Sequence, residues 1–194
     1  MKGDDPVETL QRLERAAVLT DLVEELRTAG SWSGDDHLQA AICLLQTAGR
    51  VPLGYTFLVW KESPHSFDLA DDLDRMQALG VLKLETRPFP NAPSFAAGPR
   101  ARSLRERFTA IVSRYGEQAK TVAAAVSDKD VVELERLATA SYVLEQTPSH
   151  DRDSLLKELL AVSPHTSEDD ARAALAAVDD LLRAMHQPKT GTLG

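Results

Sequence analysis

The chain has 194 residues, a hydrophobic content of 43% and a formal net charge of −8. These values fit one domain of ordinary size, or a small module with an extension, and exclude wholesale disorder. The single cysteine, Cys43, excludes an internal disulfide and any multi-cysteine metal site, and its apolar neighbours predict a buried, inert thiol.

Two helices are predicted before residue 50. The first begins with Asp5 as its cap and Pro6 at its first position, and it ends at Gly30. Its imperfect apolar face consists of Val7, Leu10, Ala17, Leu22 and Leu26. The second helix carries a buried stripe at the i, i+3, i+4, i+7 spacing, formed by Leu38, Ala41, Ile42 and Leu45.

The hydrophobic period changes twice between residues 55 and 85. Tyr55, Phe57 and Val59 alternate as in a strand, and a short helix follows with Leu69, Leu73 and Met76 on one face. Residues 81–86 again predict a strand, "RPFPNAP" predicts a loop, and "SFAAG" predicts a second wing strand. Strand, short helix and strand in this order are the layout of a winged helix.

The rest of the chain is predicted to be helical. "ARSLRERFTAIVSRYG" predicts one helix, and another runs from Asp128 or Asp130 to about Glu145 with Val131 among its inward residues. A short helix around Leu155 ends at Pro164. The last helix begins after Thr166 or Ser167, continues to about Met185, and is expected to pack on the helix over 131–145 through Leu175, Val178 and Leu182.

These elements predict a mainly α fold with a small β wing. We expect a winged-helix-like core over residues 1–99, a helical extension over 100–188 packed on that core as one domain, and a flexible tail over 189–194. No apolar run reaches membrane-spanning length, and the N-terminal "MKGDDPVETLQ" lacks an apolar signal core. A cytoplasmic protein is therefore expected.

The stretch "GDDHLQAAICLLQTAGRVPLGYTFLVWKESPHSFDLADDLDRMQALGVLKLE" resembles the YwgA-like proteins, which are relatives of the Panacea (SocA-type) antitoxin domain. "ELERLATASYVLEQTP" and "LLAVSPHTSEDDARAA" are similar to the helical second half of that family. Where the family has a Gly-Pro turn, this chain has residues 63–66, "SPHS". The resemblance implies a winged-helix-like core with a helical extension, and a function in binding a toxin or delivering it to a protease.

Catalytic and metal-binding patterns are weak in this chain. Asp68 and Asp72 are the candidates for a metal-dependent hydrolase, but no calcium-loop pattern accompanies them. His65 stands between Ser63 and Ser66 without a third orienting group. The five histidines lack the familiar metal-ligand spacings, and no phosphate-binding glycine loop is present. We expect no enzyme activity, no metal and no cofactor.

The short helix after His65 is acidic, which argues against a role in reading DNA. Asp68, Asp71, Asp72 and Asp74 face a single arginine, Arg75, with which Asp71 is expected to pair. Carboxylates on a recognition helix would be repelled by phosphates. A protein partner is therefore predicted, and the acidic surface would either steer it or stand in for nucleic acid.

The predicted partner-binding residues are Trp60, Lys61, His65, Asp68, Asp71, Asp72 and Arg75. The side chains expected to point outward are those of Asp68, Asp71, Asp72 and Arg75. Trp60 is either a core residue or a partner anchor. A homodimer is also compatible with the sequence.

The alternative prediction is a winged-helix transcription regulator that contacts phosphates through its basic segment. Residues 100–120 carry six Arg or Lys and two Glu, in contrast to the acidic flanks. Arg100, Arg102 and Arg105 follow the predicted wing, where backbone contacts to DNA are common. These arginines would otherwise pair with the acidic surface of the protein itself.

Overall fold

The computed structural model describes residues 10–31, 33–86, 93–148 and 151–186. Within these ranges the chain forms eight helices and two separate two-stranded antiparallel sheets. The helices are α1 (Arg12–Thr28), α2 (Asp35–Thr47), α3 (Phe67–Ala78), α4 (Ala101–Arg107), α5 (Thr109–Val126), α6 (Val131–Gln146), α7 (Arg152–Val162) and α8 (Glu168–His186). The strands are β1 (Leu58–Trp60), β2 (Ser63–His65), β3 (Leu82–Glu85) and β4 (Ser94–Ala97).

Helix α1 is a central helix, buried on nearly all sides from Ala16 to Val23. It packs mainly against α5, with α4 and β4 on its other sides. This all-round burial explains the imperfect apolar face of the sequence. The helix begins after Gln11, whose backbone N–H donates to Glu14 Oε2, and Gly30 ends it at φ +85° as predicted. The predicted cap at Asp5 and Val7 lie outside the described residues, as does the tail 189–194.

The two hairpins flank α3. In the first, Leu58 pairs with His65 and Trp60 with Ser63. Residues 63–66, which the resemblance matched to the family's Gly-Pro turn, do not form the turn of this hairpin. Ser63–His65 is a strand, and the chain reverses at Lys61 and Glu62. The second hairpin pairs β3 with β4, which confirms that the predicted strands over 81–86 and in "SFAAG" form and lie side by side.

Helix α3 presents its apolar stripe to the core as predicted. Leu69, Leu73 and Met76 are buried, and Ser66 caps the helix by accepting from the Leu69 N–H at 3.3 Å. Asp72 is buried as well, so its predicted outward position is wrong.

The second half differs from prediction in two details. The helix expected over residues 101–116 is divided into α4 and α5 at Phe108, whose backbone has φ −112° and ψ 32°. Val131, predicted to face inward, is exposed at the start of α6. Of the two caps considered for each helix, Asp130 is the cap of α6, and Ser167 is the cap of α8, where its Oγ accepts from the Asp170 N–H at 3.1 Å.

One hydrophobic core runs through both halves. Helix α6 packs on α2, and α8 packs on α6 as predicted, with further contacts to α5 and α7. Leu175 and Val178 are buried in this interface, and Leu182 is half-buried against it. None of the helices in the described ranges has the length and hydropathy required to cross a membrane.

Candidate functional site

Two glutamines of α2 hold the segment that carries the β1–β2 hairpin. The Gln46 side chain donates to Tyr55 O at 2.8 Å and accepts from Tyr55 N at 2.9 Å. Gln39 makes the same pair of bonds with Ser66, at 3.1 and 3.0 Å. The glutamines are seven residues apart, so they lie on one face of α2, two turns apart. These amides replace strand partners, which explains why regular β1 begins only at Leu58.

The tip of this hairpin is fixed by the second half of the protein. Lys61 and Glu62 both have positive φ, 51° and 68°. The Glu62 carbonyl accepts from Thr139 Oγ1 at 3.3 Å and from Ser163 Oγ at 3.0 Å. The hairpin is therefore fixed at its base by α2 and at its tip by α6 and the residue that ends α7.

Four side chains form an exposed cluster, named here the aromatic patch: Leu58, Trp60, His65 and Phe67. Trp60 is 52% exposed and Phe67 is 54% exposed, and their ring centroids lie 6.0 Å apart in an edge-to-face arrangement. The His65 and Phe67 rings lie 4.9 Å apart. Trp60, which the sequence left between core and anchor, is a surface residue. Exposed aromatic rings of this size are characteristic of interaction sites.

A cavity of about 280 Å³ lies beside the aromatic patch. It is lined by Asp36, Gln39, Trp60, Lys61, Ser63, Pro64, His65 and Glu135. Burial raises the pKa of Glu135, and the negative charge of Asp36 raises it further. Burial and Asp36 also raise the pKa of the neighbouring Asp35. The carboxylates near the mouth of the cavity therefore repel one another.

The carboxylates of α3 divide into two groups. Asp68 and Asp71 are exposed, as predicted for a binding face, and Asp74 is exposed as well. Asp72 instead accepts from Arg15 at 2.6 Å, from Arg75 at 2.7 Å and from the Tyr55 hydroxyl at 3.1 Å. The predicted pairing of Arg75 with Asp71 is wrong, because Arg75 binds Asp72. Arg15 belongs to α1, 57 residues away, so the sequence held no local signal of this cluster.

The basic segment is largely engaged within the protein. Arg105 forms ion pairs with Asp21, at 2.8 Å, and with Glu24, which is the pairing with the protein's own acidic surface that the sequence left open. Burial raises the pKa of Asp21, and Arg105 opposes that rise. Arg102 pairs with Glu106 but its side chain remains 88% exposed. Arg100 is exposed.

Two of the residues considered for catalysis, Ser66 and Asp72, have structural roles. Ser66 Oγ caps α3, and Asp72 is neutralised by arginines. Among the described residues, no group of three His, Cys, Asp or Glu is placed to hold a metal ion. Cys43 is buried, as predicted, and burial raises the pKa of its thiol.

No protein-family model matches the chain, and no curated protein matches it. The function is therefore argued from the geometry of the aromatic patch and its charged surroundings. The resemblance to the YwgA-like proteins stays a prediction.

Proposed function

We propose that this protein is a non-enzymatic interaction module, of antitoxin or regulatory-adaptor type, that binds a protein partner through the aromatic patch. The observation that carries the proposal is the exposure of Trp60, on a hairpin fixed at both ends, and of Phe67, at the first position of α3. A rigid aromatic anchor loses little conformational entropy on binding, which makes it an effective interface residue.

We also propose that the first half of the chain is winged-helix-like. The order α3, β3, β4 supports it, since a short helix followed by a two-stranded wing is the arrangement expected. The hairpin before α3 is a departure, because β1 pairs with β2 rather than with the wing. This departure places aromatic side chains beside α3 and favours a protein ligand.

Charge favours a protein partner over DNA. Asp68, Asp71 and Asp74 project from α3, where a DNA-reading helix would meet phosphates. The same carboxylates attract a basic surface, including one that otherwise binds nucleic acid. The DNA-binding alternative retains Arg100 and Arg102, without Arg105. Salt-sensitive binding of genomic DNA that Arg102→Ala abolishes would favour that alternative.

The direct test is capture of partners from the native cell with wild-type protein and with the Trp60→Ala, Phe67→Ala variant. We expect the variant to lose the partner. Val132→Ala is the matched control, because Val132 is an equally exposed apolar residue on α6, at 52%. Equal capture by wild type and the aromatic variant would refute the proposal.

A second measurement tests the role of the acidic helix. With the captured partner in hand, Asp68→Lys, Asp71→Lys should slow association at low salt, and the difference should fade as ionic strength rises. Asp128→Lys is the control, because it reverses an exposed charge in the connection between α5 and α6, outside α3. Equal association rates at low salt would mean that the acidic face is only solvated surface.

A further inference from the structure

We infer that the cavity beside Trp60 receives a cationic side chain, arginine or lysine, from a basic segment of the partner. The inference rests on the proposed function and specifies the chemistry of the partner. At about 280 Å³, the cavity lies at the lower end of the size range of ligand pockets, which begins at about 300 Å³. It suits one long side chain rather than a whole small molecule.

Three elements of the fold bring the recognition groups together. Asp36 comes from the first turn of α2, Glu135 from α6, and Trp60 from β1. Two carboxylates and one exposed indole thus line the same space. A guanidinium or ammonium group there would donate charge-assisted hydrogen bonds to the carboxylates and stack on the indole. An anionic or purely apolar group would gain neither.

The carboxylates in and near the cavity favour the binding of a cation. Asp36 raises the pKa of both Asp35 and Glu135, and Asp74 contributes to the rise at Asp35. From the hairpin, Lys61 and His65 face this cluster. Two carboxylates, Asp36 and Glu135, thus line the cavity, and Asp35 and Asp74 lie near Asp36. A bound cation would relieve their repulsion.

The test uses a defined probe, the peptide acetyl-Gly-Arg-Arg-Gly-amide, titrated into isotope-labelled full-length protein. The Trp60 indole N–H signal, assigned with Trp60→Phe, reports occupancy of the cavity. We expect a saturable shift with the arginine peptide and none with the Glu-Glu analogue. Asp36→Asn, Glu135→Gln should weaken binding about tenfold. Lys61→Ala should tighten binding, because it removes a competing cation.

The matched control is Asp128→Asn, Glu158→Gln, which makes the same change in net charge away from the cavity. This variant should bind the arginine peptide within about twofold of wild type. Equal weakening by both pairs would show nonspecific attraction and would overturn the inference. Equal binding of the Glu-Glu peptide would also overturn it.

Failure of this inference is separable from failure of the proposed function. If Asp36→Asn, Glu135→Gln captures the cellular partner as wild type does, while the Trp60→Ala, Phe67→Ala variant loses it, the cation site is refuted and the interaction module stands. If the aromatic variant captures the partner normally, the proposed function fails, whatever the peptide titration shows.

Discussion

The side chain of Asp72 lies between α1 and α3, where it binds Arg15, Arg75 and the Tyr55 hydroxyl. The Arg15 guanidinium also donates to Leu53 O and lies 4.7 Å from the centroid of the Tyr55 ring. One carboxylate thus joins the first helix, the loop before β1 and the acidic helix. Its role is structural, although the adjacent aspartates face solvent.

Removing this carboxylate should destabilise the fold. Asp72→Ala leaves the mostly buried Arg15 without its charge partner, and we expect a loss of about 3 kcal/mol in the free energy of unfolding. Asp71→Ala, at the exposed neighbouring position, should change it by less than about 0.5 kcal/mol. Urea denaturation of both variants measures the difference. Equal effects would contradict the structural role of Asp72.

The raised pKa of Glu135 predicts that the stability of the fold depends on pH. Its pKa in the folded protein is raised above the ordinary value of 4.5, chiefly by burial, so the folded state holds this proton more tightly than the unfolded state. Its contribution therefore becomes less favourable as pH rises from about 4.5 through the raised pKa. Glu135→Gln should be more stable than wild type at pH 7, with the difference shrinking toward pH 4.

Urea denaturation at a series of pH values measures this effect. The control is Glu158→Gln, at an exposed position of α7. A Glu135→Gln variant whose advantage grew toward low pH would contradict the sign. A gain in stability together with weaker binding of the arginine peptide would mark Glu135 as a residue retained for binding at a cost in stability.

At the scale of the element, the β1–β2 turn is held in a conformation that its residues disfavour. Two-residue hairpin turns with positive φ at both positions prefer Asn-Gly, but this chain has Lys61-Glu62. Non-glycine residues in this region cost about 1 kcal/mol or more each. The bonds from Thr139 and Ser163 to the Glu62 carbonyl hold the turn in place.

Replacing these turn residues should stabilise the protein. Lys61→Asn, Glu62→Gly keeps the backbone acceptor and relieves the strain, so we expect a gain of about 1 kcal/mol in the free energy of unfolding. Thermal and urea denaturation provide the measurement. A loss of stability would mean that the side chains of Lys61 and Glu62 contribute more than their backbone strain costs.

At the scale of the whole molecule, we expect the extension and the core to unfold together, because they share one hydrophobic core. Leu175 of α8 is buried against α6, which in turn packs on α2. Leu175→Ala should cost about 2–5 kcal/mol, and Leu182→Ala, at a half-buried position, should cost less. Deleting residues 166–194 should abolish the cooperative transition. An unchanged melting curve after that deletion would make the extension an independent arm.

Local patterns were sufficient to predict most elements. The α2 and α3 stripes and the strand β4 were predicted from the sequence, and each of the α6 and α8 caps was narrowed to two residues. Helix and strand periods and cap residues act over a few positions, so local sequence is enough for them. The division between α4 and α5 at Phe108 was missed, since no proline or glycine marks it. The acidic character of α3 was also evident from the sequence.

Only the tertiary structure decided which polar residues are available to a partner. Trp60 lies at the surface. Asp72 pairs with Arg15 and Arg105 pairs with Asp21, in each case with a residue distant in sequence. The cavity joins Asp36, Trp60 and Glu135, which no sequence period relates. A linear pattern specifies the face on which a side chain lies. The charges that meet it there depend on packing between elements that are far apart along the chain.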